Sequence, residues 1–168
     1  ARTKGVGILT HEDALIYGAC GPHGRASNVN FDVRKTMPYN SYEDFDFKVA
    51  LAEDEDVFSR AVVRLVEIEE SFKIIKQAVK NMPDGPINLG NKIPRVPKGE
   101  SLAVTEAPRG EVSYFVVSNG GQTNSRVNIH VPTFKNAATV PVMLKDNTIA
   151  DAGLIVASID PCFSCLDR

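Results

Sequence analysis

A long amphipathic segment between residues 54 and 80 places the strongest constraint on the fold of this chain. Acidic side chains cluster at positions 53–56 and lysines lie near the other end, which is the distribution that a helix dipole favours. The sequence Asp84-Gly85-Pro86 ends the pattern, so we predict a helix over residues 53–81. Its apolar residues recur at alternating spacings of three and four and therefore share one helical stripe, which comprises Phe58, Ala61, Leu65, Ile68, Phe72, Ile75 and Val79.

The rest of the sequence predicts shorter elements joined by loops. Thr10 is a suitable cap for a short helix, and the Gly-, Pro- and Asn-rich sequence that follows disfavours long regular elements. A crossing through Pro94, Pro97 and Gly99 is expected to lie extended on the surface. We expect one α+β domain over residues 1–168, comprising a loop-rich segment (1–50), the long helix (53–81), a loop and β-hairpin (106–131), and a helix with a candidate metal-ligand tail (148–168) that carries two cysteines to the interior.

Composition is that of an ordinary globular protein. The chain has 168 residues, of which 43% are hydrophobic and 24% charged, and its formal net charge is -2. Lys and Arg are scattered, so we expect no nucleic-acid partner. The longest apolar stretches are far shorter than the ~20 residues that cross a bilayer, so membrane association requires partner subunits. Three cysteines do not make the disulfide framework of a small secreted domain and fit a reducing compartment.

Two of the cysteines, Cys162 and Cys165, are the strongest candidates for chemistry. A spacing of three residues in a tight turn lets both sulfurs face one centre, and thiolates select soft or borderline transition metals. The spacing alone leaves three possibilities open, namely a metal site, a redox dithiol and two inert buried thiols. The third, Cys20, stands alone, and we expect it to be buried as a small apolar residue.

Several short motifs occur along nearly the whole chain. They are Gly21-Pro22-His23-Gly24-Arg25-Ala26-Ser27, Asp32-Val33-Arg34-Lys35, Glu106-Ala107-Pro108-Arg109-Gly110-Glu111 and Asp160-Pro161-Cys162-x-x-Cys165-x-x-Arg168. In combination they resemble the C-terminal half of the large subunit of nickel-iron hydrogenases, specifically the energy-converting, membrane-associated type, and the related 49-kDa subunit of complex I. The two terminal cysteines separate these branches, because the complex I counterpart lacks the metal ligands.

The resemblance implies a metal centre that this chain completes only in part. Cys162 would be a terminal thiolate on nickel and the local candidate for a base, and Cys165 would bridge nickel to an iron that carries cyanide and carbon monoxide. The other pair of thiolates comes from an Arg-x-Cys-x-x-Cys type motif that the sequence lacks. We therefore expect a partner polypeptide with the N-terminal half of the large subunit. Ala1 resembles a position inside such a subunit, and Arg168 resembles the end of a matured one.

Other site residues follow from the same resemblance. Arg109 would lie over the iron, where its fixed charge and forked donors suit cyanide and a polarised H–H bond, and a structural ion pair is the alternative. Thr133 would donate to a cyanide ligand, with a helix N-cap as the alternative. Pro108, Pro132 and Asp160 would surround the centre. Arg168 would form an ion pair and, being unable to ligate a cation, would leave the neighbouring magnesium position of related proteins empty.

The function that the resemblance implies is reversible reduction of protons to hydrogen. Electrons would come from ferredoxin through [4Fe-4S] clusters of an iron-sulfur small subunit, and membrane subunits would couple the reaction to ion translocation. The chain would lie on the cytoplasmic side of the cell membrane, held there by its partners. Two alternatives remain open: a non-catalytic or quinone-facing scaffold subunit like the complex I homologue, and a sulfur-reducing relative.

Overall fold

Helices of very different lengths and one small sheet make up the computed structural model, which describes residues 2–88, 90 and 96–167. Short 3-10 turns occur at Tyr42–Asp44 and Ile149–Asp151. The described helices are α1 (His11–Ile16), α2 (Gly21–Arg25), α3 (Val33–Thr36), α4 (Val57–Lys80), α5 (Pro132–Ala137), α6 (Val140–Leu144), α7 (Ala152–Ser158) and α8 (Phe163–Leu166). No helix within these ranges is both long and apolar enough to span a bilayer.

Three antiparallel strands form the sheet in the order β1-β2-β3, which confirms the predicted α+β class. The strands are β1 (Lys98–Ala107), β2 (Gly110–Asn119) and β3 (Asn124–His130). Within the predicted loop and hairpin over residues 106–131, β2 and β3 form the hairpin. The loop part was wrong, because the end of β1 lies there and adds a third strand. β1 is mostly exposed, so its sequence carries little of the apolar alternation that marks a half-buried strand. Of the predicted crossing, residues 91–95 lie outside the described part of the chain.

The segment before α4 contains more short helices than its Gly- and Pro-rich sequence indicates. The Thr10 side chain accepts a hydrogen bond from the Asp13 backbone N–H and starts α1 as predicted. α2 and α3 lie within the segment expected to be irregular. The main core cluster joins this segment to the start of α4 and to α6 and α7, through Leu9, Ala14, Ala19, Val57, Met143, Ile155 and Ile159.

α7 ends two residues before Asp160-Pro161, the dipeptide that leads into the cysteine turn. Ser158 is its last residue, and Asp160 adopts a positive φ of 55°, an uncommon conformation for a residue other than glycine. The turn carries Cys162 and Cys165 to partly exposed positions. The expectation that this helix delivers them to the interior was wrong, because the chain leaves the core at Ile159, which is 4% exposed and belongs to the main cluster.

Candidate functional site

The two cysteines face each other at the edge of the molecule. Cys162 occupies the N-cap of α8, and the Cys165 backbone N–H donates to the Cys162 carbonyl at 3.0 Å. This turn brings the two Sγ atoms to 2.7 Å, while neither cysteine is in a disulfide. A turn of this kind presents two sulfur donors on one side of the backbone, as a soft metal requires.

The acidity of the two thiols differs although they are neighbours. Hydrogen bonds from Cys165 and from the Ser164 hydroxyl favour the Cys162 thiolate and lower its pKa to about 7. The Cys165 backbone N–H and the charge of Arg109 act in the same direction. The pKa of Cys165 is raised, first because of its hydrogen bond with Cys162. Cys162 is therefore the sulfur that ionises first, and a thiolate is both the nucleophilic form and the ligand form.

Thr133 anchors the backbone of the cysteine turn. Its side chain is 2% exposed, and its Oγ1 accepts a hydrogen bond from the Cys162 backbone N–H at 3.3 Å. The alternative role as an N-cap does not hold, because Val131 caps α5 and Thr133 lies one residue after Pro132 in its first turn. Pro132 fits that first position, where its missing N–H costs no helical hydrogen bond.

Arg109 clamps the residue that precedes the cysteine turn. Its Nε donates to the Asp160 carbonyl oxygen at 2.6 Å, and its Nη2 donates to Asp160 Oδ1 at 3.0 Å. The side chains are 30% and 46% exposed, so the ion pair contributes only about 0.5 kcal/mol by itself. Its main consequence is geometric, since one guanidinium fixes both the backbone and the carboxylate of a residue with positive φ. Arg109 therefore forms the structural ion pair and also lies close enough to the thiols to influence Cys162.

Two glycines position the turn that carries Arg109. Pro108 and Arg109 form the connection between β1 and β2, which close on the Ala107–Gly110 pair. Gly21 has φ +65°, and a Cβ placed there would lie 2.2 Å from the Arg109 carbonyl oxygen. A Cβ at Gly110 would lie 2.6 Å from the Gly21 backbone nitrogen. The start of α2 and the Arg109 turn therefore touch backbone to backbone, which explains why both motifs contain a glycine at this point.

A buried ionic network anchors the end of β1, just before the turn that carries Arg109. Arg25, which is 2% exposed, donates to Glu67 Oε1 at 2.6 Å and to Glu106 Oε1 at 2.9 Å. Its Nη1 also lies 3.5 Å from Asp32 Oδ2. Burial raises the pKa of Glu106 despite the charge of Arg25. The network borders a cavity of about 430 Å³ whose wall continues to Pro108 and Asp160.

Two arginines on α4 form a part of the site that the sequence analysis missed. Arg60 is fully buried, and its guanidinium donates to Ser158 Oγ at 2.9 Å and to the Gly7 carbonyl at 2.6 Å. Burial and the charge of Arg64 lower the Arg60 pKa to about 10. Arg64 lines the cavity beside Asp160. Their spacing of four residues, which places both on one side of the helix, was the available signal.

His23 lies inside the chain beside these arginines. It is 1% exposed, and its Nε2 lies 2.9 Å from Thr139 Oγ1. The Thr139 hydroxyl donates to the Asn136 carbonyl, so it accepts from His23 and Nε2 carries the proton. Burial, followed by the charges of Arg60 and Arg64, lowers the His23 pKa to about 3. The imidazole is therefore neutral at any physiological pH.

The described residues offer two donors of the expected metal centre. No group of three or more His, Cys, Asp or Glu side chains suited to a metal ion occurs within 2–88, 90 and 96–167. Cys20 is apart from the pair: it is 6% exposed, its backbone N–H donates to Asn136, and burial raises its pKa to about 11. The paired sulfurs fit a shared soft metal in chemistry and position. Arg168 lies outside the described residues.

Comparison with known proteins gives a consistent family. The sequence model of the protein family described as the respiratory-chain NADH dehydrogenase 49 Kd subunit matches residues 1–95 and 89–168. The carbon monoxide-induced hydrogenase of Rhodospirillum rubrum is 46% identical over 167 residues, which cover 99% of this chain and 46% of that protein. A subunit of the NADH-quinone oxidoreductase of Clostridium beijerinckii is 43% identical over 171 residues, covering 100% and 46%, respectively. The chain thus spans about half the length of these relatives.

Proposed function

This chain belongs to the family of the respiratory-chain NADH dehydrogenase 49 Kd subunit, and we propose that it is a catalytic piece of a membrane-associated nickel-iron hydrogenase. One observation carries the proposal: Cys162 and Cys165 bring their sulfurs to 2.7 Å at a partly exposed edge, next to the guanidinium of Arg109. The carbon monoxide-induced hydrogenase at 46% identity supports the same choice within the family.

The residues of this chain have separate tasks in the proposed reaction. Cys162 and Cys165 would hold one side of the nickel-iron centre, which would supply the redox chemistry for the interconversion of protons and hydrogen. Cys162 would be the local base that exchanges a proton at Sγ. Arg109 would supply positive charge beside the centre, in an orientation that Asp160 fixes. Thr133 holds the backbone of Cys162 in place.

The remaining parts of the enzyme belong to other polypeptides in this proposal. A partner that carries the N-terminal half of the large subunit supplies the second cysteine pair. Ferredoxin delivers electrons through the [4Fe-4S] clusters of an iron-sulfur small subunit, and membrane subunits couple the reaction to ion translocation. These partners hold this chain on the cytoplasmic side of the cell membrane. The edge position of the thiols supports this division, because a second chain can reach them without unfolding this one.

A scaffold function is the second candidate, and specific findings favour it. The Clostridium beijerinckii relative at 43% identity and the NADH-quinone oxidoreductase subunit 4 of Thermus thermophilus at 37% identity are named for quinone reduction. The buried Arg25 network and the Gly21–Gly110 contact maintain the fold without any metal. In this case the chain would form part of a quinone-facing surface and the thiols would be inert.

Metal analysis of the purified, assembled complex tests the proposal. We expect nickel and iron together, and we expect Cys162→Ser or Cys165→Ser to abolish nickel retention and hydrogen evolution from reduced ferredoxin. Cys20→Ser is the matched control and should leave both unchanged, because Cys20 is buried away from the pair. Zinc alone, or metal content independent of both terminal cysteines, refutes the hydrogenase. Reduction of sulfane sulfur without hydrogen evolution identifies the sulfur-reducing relative.

A further inference from the structure

The long helix α4 turns its apolar stripe outward. The stripe defined in the sequence runs from Phe58 to Val79, and its members are exposed to a degree unusual for such large side chains: Leu65 is 64% exposed, Phe72 58% and Val79 66%. A surface helix of a globular protein normally packs this stripe on the core and leaves charged residues in water. Single exposed apolar residues need no explanation, but a continuous stripe does.

The opposite face of α4 packs on this chain and buries charged side chains beside Ser59 and Val63. Its buried side includes Arg60 at 0% and Glu70 at 7% exposure. Both are satisfied within this chain, since Arg60 donates to the Gly7 carbonyl and Glu70 Oε2 accepts from the Lys48 backbone N–H. α4 packs through this face on α2 and α7. The inner face of α4 is therefore packed within this chain, whereas the outward stripe is exposed.

The stripe is continuous with the candidate site. Ile68, which is 52% exposed, lines the cavity that also includes Arg64 and Asp160. Asp160 is held by Arg109 and lies two residues before Cys162. A molecule that covers the stripe therefore meets the wall of this cavity at Ile68, next to the charged side chains of Arg64 and Glu67. One partner can cover α4 and approach the site together.

The dimensions of the stripe and the missing portion of the relatives specify the occupant. Residues 58–79 extend over about 32 Å of helix, which matches a second helix of about 20 residues. The chain spans only 46% of the length of the Rhodospirillum rubrum and Clostridium beijerinckii relatives, so more than half of such a subunit is polypeptide outside this chain. Lys76 and Lys80 are exposed along one side of α4 and favour acidic residues on the occupant.

We propose that the outer stripe of α4 is the docking surface for an apolar helix of the polypeptide that carries the rest of the large subunit. The identity of this partner rests on the proposed function; the existence of the docking surface does not. Leu65, Ile68 and Phe72 lie in its centre and supply most of the binding free energy. Lys76 and Lys80 fix the orientation of the partner helix.

Crosslinking in the assembled complex tests which molecule covers the stripe. A photoreactive amino acid replaces Ile75, which is 55% exposed, and in a separate control it replaces Leu102 on β1. We expect mass spectrometry to find the Ile75 crosslink on a helix of the polypeptide that carries the other paired cysteines. A crosslink to a second copy of this chain, to a membrane subunit or to lipid, or none above the Leu102 control, overturns the proposal.

A matched pair of substitutions tests the energetic role. Leu65 and Leu102 are both 64% exposed, so Leu65→Glu and Leu102→Glu introduce the same charge at equally accessible leucines. We expect Leu65→Glu to raise the Kd for the partner polypeptide about tenfold or more, and Leu102→Glu to change it less than twofold. Circular dichroism verifies that each variant is folded, and Val79→Glu near the end of α4 provides a second variant of the stripe. Equal effects of Leu65→Glu and Leu102→Glu refute the proposal.

These measurements separate this inference from the proposed function. If the partner docks on the stripe in a complex that contains neither nickel nor iron, the hydrogenase proposal fails and the docking surface stands. If the complex contains both metals while the stripe stays accessible and insensitive to Leu65→Glu, the docking proposal fails and the hydrogenase stands.

Discussion

Replacement of Gly21 by alanine is the sharpest test of how the fold positions Arg109. An added Cβ would lie 2.2 Å from the Arg109 carbonyl oxygen and 2.5 Å from the Gly110 Cα, so the backbone of one element must move. The left-handed φ of +65° costs about 1–2 kcal/mol for a residue with a Cβ. Separation of two packed backbones adds about 1–3 kcal/mol. We therefore expect Gly21→Ala to lower the free energy of unfolding by about 2–5 kcal/mol in total.

Gly18 provides a control that isolates the contact from the backbone conformation. It has φ +64°, and a Cβ there would have nothing within 4 Å. Gly18→Ala should therefore cost only the conformational part, about 1–2 kcal/mol. Urea unfolding of the purified variants, followed by circular dichroism and extrapolated linearly, gives both values. Equal losses for Gly18→Ala and Gly21→Ala would show that the backbone contact between α2 and the Arg109 turn is not a determinant of the structure.

Two further predictions concern His23 and Thr133. The pKa of His23 is about 3 in the folded chain and 6.5 in the unfolded chain, so the unfolded state binds more protons between these pH values. The contribution of His23 to the free energy of unfolding is therefore fully present above pH 6.5 and is lost as the pH falls toward 3. His23→Asn should flatten this dependence by up to about 1.4 kcal/mol per pH unit, measured by urea unfolding at several pH values, and an unchanged slope would contradict the pKa assignment. Thr133→Val removes the acceptor of the Cys162 N–H and should weaken metal retention in the assembled complex about tenfold or more in a chelator challenge. Thr133→Ser keeps the hydroxyl and should retain the metal; equal loss in both would assign Thr133 a packing role alone.

Local patterns predicted the long helix and the cysteine turn well. The spacing of apolar residues in α4 and the cap at Thr10 depend on neighbours within one turn, so they can be read directly from sequence. The direction in which the α4 stripe faces could not be read this way. Periodicity defines a stripe but not its partner, and the interior here takes the side with Arg60 and Glu70.

Contacts between distant residues could not be predicted from the sequence. The bond from Arg109 to Asp160 spans 51 positions, and the bond from Arg60 to Ser158 spans 98. Nothing in a single sequence indicates that either pair of residues lies in contact. β1 was missed for a different reason: it is an exposed strand, and its alternation is too weak to distinguish it from a surface loop.

The long-range bonds that frame the cysteine turn have a consequence for biosynthesis. Cys20 and His23 each bind residues 116 positions later, through Asn136 and Thr139. During translation the partners of these early residues emerge long after them, and Cys162 leaves the ribosome later still. Cys20 and His23 therefore gain these partners only after positions 136 and 139 have emerged, so the framework around the thiols is completed late in synthesis.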